Sequence, residues 1–182
     1  MKAYSINPNV KEVKAIEIDM QPNTVYSFFN SILVDDISTL PSHTIYTDAN
    51  ALSNDATPFY IGNQLLVGDA LIIGKEGIAE VDATIPLENL TEIVNYEVSD
   101  FYIQTLKLLG TSDINLYKLF EIKKEDGELI QLNTEWVLYV FSISDLRTQE
   151  FFIHKLQTAV DEKEDMLQHI QKMAILALQA GA

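Results

Sequence analysis

The chain has 182 residues, 47% of them hydrophobic, which is enough for a sizeable core and too apolar for a disordered segment. Twelve Lys and Arg face twenty-seven Asp and Glu, and the resulting net charge of −15 repels nucleic acid and anionic membrane surfaces. Cysteine is absent, which removes disulfides, thiolate metal sites and cysteine nucleophiles.

The opening runs KAYSIN and VKAIEID are strand-like, and the turn formers NPNV between them predict a hairpin. The start carries lysines but no apolar core segment, so no signal peptide is expected. No apolar run approaches the roughly 20 residues of a membrane span, so the chain is read as a cytoplasmic protein. In PNTVYSFFNSIL, Pro22 sits near a helix start and Asn23 or Thr24 is the candidate cap. Val25, Phe28, Phe29 and Ile32 recur at helical spacing and form one predicted apolar stripe.

Over 35–78 the chain turns often, with HTIYTD and PFYIG as strands. The run IGNQLLVGDALIIG carries Gly62, Gly68 and Gly74 six residues apart. A phosphate loop needs Gly-Lys followed by Ser or Thr at a helix start, and here Glu76 follows Lys75. The dinucleotide fingerprint needs a Gly-x-Gly-x-x-Gly spacing that is also absent. Gly68-Asp69 therefore reads as a sheet corner, with Asp69 a turn residue, and IAEVDAT as a further strand.

The stretch PLENLTEIVNYEVSDFYIQTLKLLG is helical in two pieces, entered through Thr84, Ile85 and Pro86, with Ser99 capping the second and Gly110 ending it. Phe101, Leu106 and Leu109 are expected to face inward. NLYKLFEIKKEDGELIQL reads as strand, Glu125-Asp126-Gly127 turn and strand, and EWVLYVFSIS as a third strand of a meander over 115–144. From Asp145 neither Pro nor Gly occurs until Gly181, and Phe152, Leu156, Val160, Lys163, Leu167, Ile170, Ala174 and Ala177 follow steps of four and three. These predict one helix of about 34 residues, about 50 Å long.

Its last ten residues are apolar nearly all round and must be covered, either by the rest of the domain or by a second copy. A homodimer or higher homo-oligomer is the expectation, carried by Phe152, Leu156, Val160, Leu167, Ile170, Ala174 and Leu178. The fold class is α+β: a mixed N-terminal domain over 1–82 opening ββα, two helices and a meander over 83–144 packed on the same core, and the long helix over 145–182.

The opening MKAYSINPNVKEVKAIEID, the aromatic-rich helix after it and GNQLLVGDALIIGKEG resemble a small uncharacterised domain family, domain of unknown function 3846, over 1–75. Its members begin with Met-Lys-Ala and an Ile-Asn-Pro element and later carry Gly-Asp-Ala in a hydrophobic run. The resemblance implies carriage by a phage or plasmid. It implies no activity that transfers to a residue here.

Chemistry-bearing patterns are sparse. His43 and Asp48 fall on opposite faces of a strand, while Glu150 with His154 and Asp165 with His169 share helix faces four residues apart. Asp35, Asp48 and Asp55 could gather a hard cation or a small molecule, but no calcium-loop pattern surrounds them. No nucleophile elbow occurs. No catalytic residue, metal or cofactor is expected.

Charge is the informative feature. Between Ala15 and Leu106 the one base is Lys75 against fourteen acids. Asp35, Asp36, Asp48, Asp55, Glu88, Glu92, Glu97 and Asp100 are the candidate interaction residues, with Glu88, Glu92 and Asp100 on one helical stripe if that helix continues through Tyr96. The reading is a non-enzymatic acidic protein whose carboxylates imitate a phosphate backbone to a basic, nucleic-acid-handling partner. An assembly protein built on the last helix and a cation or small-molecule binder are the alternatives.

Overall fold

The computed structural model describes residues 1–37, 40–54, 56–112, 114–124 and 127–180. The architecture is α+β, with antiparallel sheets and six helices among the described residues. The chain forms two compact units, Met1–Val98 and Ser99–Ala182, so the division falls at neither of the expected boundaries, after residue 82 or after residue 144.

The first unit opens with the expected hairpin of β1 (Lys2–Asn7) and β2 (Glu12–Glu17). Asn7 Oδ1 accepts from the amides of Asn9 and Val10, which fixes the turn. After α1 (Thr24–Phe29) come β3 (Val34–Ile37), β4 (His43–Asp48), β5 (Pro58–Ile61), β6 (Gln64–Val67), β7 (Ala70–Glu76) and β8 (Ala79–Val81). The unit closes with α2 (Leu87–Ile93) and β9 (Val94–Asn95). The main sheet runs β2-β1-β7-β4-β3, with β8 also on β7, and a second sheet runs β6-β5-β9.

The glycine-rich run makes corners. Gly68, at φ +80°, turns the chain from β6 into β7, and a Cβ there would stand 2.9 Å from that of Ala51. Gly74 lets β7 pass close to the strand beside it, since a Cβ would meet the Asp82 carbonyl oxygen at 2.2 Å. The sheet has two apolar faces. Tyr4, Ile6, Ile45, Ala70 and Ile72 lie buried on one. Ala3, Leu71 and Ile73 lie on the other, packed by Val25 and Phe29 of α1.

The predicted stripe on α1 is only half used. Asn30 adopts the left-handed conformation and ends the helix, and its amide bonds back to the Ser27 and Tyr26 carbonyls. Val25 and Phe29 turn inward, while Phe28 and Ile32 are exposed. Asn23 occupies the cap position without a side-chain bond, and the Thr24 hydroxyl instead donates to the Asp19 carbonyl.

The second unit contains α3 (Asp100–Leu109), β10 (Phe120–Lys123), β11 (Leu129–Leu132), α4 (Thr134–Ser142), α5 (Leu146–Glu162) and α6 (Met166–Gln179). Ser99 occupies the N-cap position of α3 without a side-chain bond, and β10 pairs with β11 as the sequence predicts; Glu125 and Asp126 of their turn lie outside the described residues. The third strand of the meander is a helix instead. Asn133 Oδ1 accepts from the Trp136 amide, and Val137, Leu138 and Phe141 then share a buried face. Phe141 stacks on Phe152 at 4.4 Å between ring centres, and Phe101 lies 5.8 Å from Phe152 on another side.

The expected long C-terminal helical stretch is present, but it is two helices that pack on each other. Lys163 takes φ 55° and closes α5, while Asp165 accepts from the Leu167 and Gln168 amides and opens α6. The residue that broke the apolar pattern in the sequence marks the turn.

Candidate interaction surface

The first unit has four bases against fourteen acids, a net charge of −10. Strand register decides which side each sheet carboxylate takes, because residues opposite one another in antiparallel strands point to the same face. Asp36 pairs with Tyr46, which pairs with Leu71, so Asp36 lies on the face covered by α1. Asp48, two residues beyond Tyr46, shares that face. Asp35, opposite Thr47, takes the other.

The remaining acids lie elsewhere. The segment leading to α2 crosses the Tyr4 face: the Tyr4 hydroxyl donates to the Ile85 carbonyl at 2.6 Å. Glu88 and Glu92 are exposed on α2, and Glu97 is exposed beyond β9. The expected helical stripe through Tyr96 does not form, because α2 ends at Ile93 and the chain becomes extended; Asp100 begins α3 in the second unit. Asp55 lies outside the described residues. Among the described residues the carboxylates thus occupy both sides of the main sheet and do not form one row.

Some of these acids hold the fold together. Asp48 Oδ1 accepts from the Ser31 hydroxyl at 2.8 Å and from the Asn50 amide at 3.0 Å. Tyr46 donates to Glu80 at 2.5 Å, and burial, followed by that carboxylate, pushes the Tyr46 hydroxyl well above its ordinary pKa. Glu12 pairs with Lys14 at 2.6 Å, and Glu17 with the amino terminus at 3.5 Å. Glu88, Glu92 and Glu97 have no ion-pair partner among the described residues.

The histidines carry structure. His43 is 4% exposed; its Nδ1 donates to the Pro41 carbonyl at 2.7 Å, while Nε2 accepts from the Thr84 and Ile85 amides at 3.1 and 3.2 Å. His169 pairs with Glu164 rather than Asp165, whose carboxylate caps α6. His154 is exposed on α5. Asp35 and Asp48 point to opposite sides of the sheet and cannot share a cation, and no group of three metal-ligating side chains occurs among the described residues.

The oligomer stripe is largely consumed within its own unit. Phe152, Leu156, Ile170 and Ala174 are buried there; Val160 and Leu178 are half-buried, and Leu167 is 38% exposed. The helix hairpin leaves a cavity of about 410 Å³ lined by Phe141, Ile143, Phe151, Met173 and Leu176. The two hydroxyls in it are committed, Ser144 to the Val140 carbonyl and Thr148 to Asp145.

The sequence reading missed the exposed apolar residues at the end of α1 and the turn after it, Tyr26, Ile32 and Leu33, with Phe28 exposed on the other flank of the helix. Asn30 was the available signal, since asparagine readily takes the left-handed conformation that ends a helix and turns the following residues outward.

No family model, curated protein or solved structure matches this chain, so its functional reading rests on its own residues. No helix among the described residues is long and apolar enough to cross a membrane.

Proposed function

We propose that this is a non-enzymatic acidic interaction protein that binds a basic protein partner. A nucleic-acid-handling protein is the partner class whose cationic surface fits best, and the cytoplasm, where a cysteine-free chain is at home, is the compartment. The observation that carries the reading is the one-sided charge of the first unit, four bases against fourteen acids, with Glu88, Glu92 and Glu97 exposed and without ion-pair partners among the described residues. Such a field steers a cationic protein toward the surface and raises its association rate.

Because the carboxylates lie on both sides of the sheet, the attraction is that of a whole charged unit rather than of a phosphate-spaced row. The partner is held by complementarity of sign, and its own ligand, DNA or RNA, competes for the same cationic surface. Immobilised protein should retain a basic partner from host lysate at about 50 mM salt and release it at about 500 mM, where the Debye length is only a few ångströms. Double-stranded DNA should displace that partner. Retention of the same proteins at both salt concentrations, undisturbed by DNA, would count against the reading.

A further inference from the structure

We infer that the corner between α1 and β3 is where the basic partner docks, and that it receives a basic amphipathic segment with an apolar anchor flanked by Lys or Arg. The inference rests on the acidic-protein reading and places its binding site. Three large apolar side chains, Tyr26, Ile32 and Leu33, are exposed within eight residues, Ile32 at 87%, while Phe28 lies about 200° from Tyr26 around α1, on its other flank. Scattered exposed apolar residues are ordinary, whereas a cluster rimmed by polar groups marks a contact surface.

The corner is held in place. The Ser31 amide donates to the Tyr26 carbonyl at 3.1 Å, and the Ala49 amide to the Leu33 carbonyl at 3.2 Å. The Ser31 hydroxyl stands 2.8 Å from Asp48 Oδ1 and 3.0 Å from the Leu33 carbonyl oxygen. The anchors are therefore presented on a pre-ordered turn, which lowers the ordering cost of binding.

Charge complementarity selects the occupant. Asp36 and Asp48 lie on the sheet face that α1 covers, on the edge strand and its neighbour, and the sequence carries no base between Lys14 and Lys75. An anionic membrane or nucleic acid is repelled. A second copy docked symmetrically would set the same carboxylates against one another. An apolar anchor with flanking cations satisfies both the patch and its rim.

The test uses the full chain and a helical peptide of about 18 Leu and Lys residues with the leucines on one face, beside a control in which serine replaces leucine at equal charge. Binding is measured by calorimetry at low salt. The leucine peptide should bind more tightly than the control, and Ile32→Ser should weaken it about tenfold or more, the loss typical of a central anchor. Ile78→Ser, an equally exposed apolar residue in the β7–β8 turn and at the other end of β7 from Asp48, should change it less than about twofold. Equal binding by wild type and Ile32→Ser, or by both peptides, overturns the site while leaving the acidic-protein reading standing. Failure of both peptides to bind wild type overturns both.

Discussion

Replacing His43 with phenylalanine keeps a ring of similar size but removes three hydrogen bonds at once. The Pro41 carbonyl loses its donor, and the Thr84 and Ile85 amides lose their shared acceptor. The side chain is 4% exposed, so water has little room to replace it. A buried polar group left without a partner costs about 1–3 kcal/mol. With partial relaxation of the three groups, the expected loss is about 3–5 kcal/mol, a large share of the roughly 5–15 kcal/mol that holds a typical domain folded. Denaturant unfolding with a fixed slope measures that loss, and hydrogen exchange should show the Thr84 and Ile85 amides exposed first. A loss under about 1 kcal/mol, with both amides still protected, would refute the assignment of His43 as the peg that holds this segment to the sheet.

Three further outcomes follow from local geometry. The buried Thr47 hydroxyl has no hydrogen-bond partner among the described residues, so Thr47→Val should stabilise the chain by about 1 kcal/mol in the same unfolding assay. Lys163→Gly should stabilise by up to about 1 kcal/mol, because glycine adopts φ 55° at little cost; in a continuous helix the same change would destabilise by about that amount, so the sign of the change separates the two architectures. Asp145 accepts from the Thr148 amide and hydroxyl and the Arg147 amide, which holds its carboxyl below the ordinary value of 3.8. Its contribution is therefore present above pH 3.8 and is lost as pH falls through the lower folded value, so the difference in melting temperature between wild type and Asp145→Ala should be full at neutral pH and close in acid.

The β1–β2 hairpin and the corner between the two sheets were legible because they use residues with local reasons to turn, Asn7 and Pro8 before β2 and Gly68 before β7. The helix α4 was not, because Trp136, Val137, Tyr139, Val140 and Phe141 favour strands while the Asn133 cap and a buried face of Val137, Leu138 and Phe141 favour helix. The break between α5 and α6 lacks Gly or Pro, and its signal was the polar run from Asp161 to Asp165 with a capping carboxylate at its end. For the interaction surface, sequence fixes how many carboxylates there are, whereas strand register decides where they point. Asp35 and Asp36 are adjacent in the chain and on opposite sides of the sheet.

The most direct test of the acidic-protein account is the association rate between this chain and its captured basic partner as ionic strength rises. A rate that falls more than about tenfold between about 20 and 300 mM salt, with a smaller change in dissociation, is the predicted result. A rate that stays within about twofold across that range would contradict it, because the field of a −15 chain would then play no part in recognition.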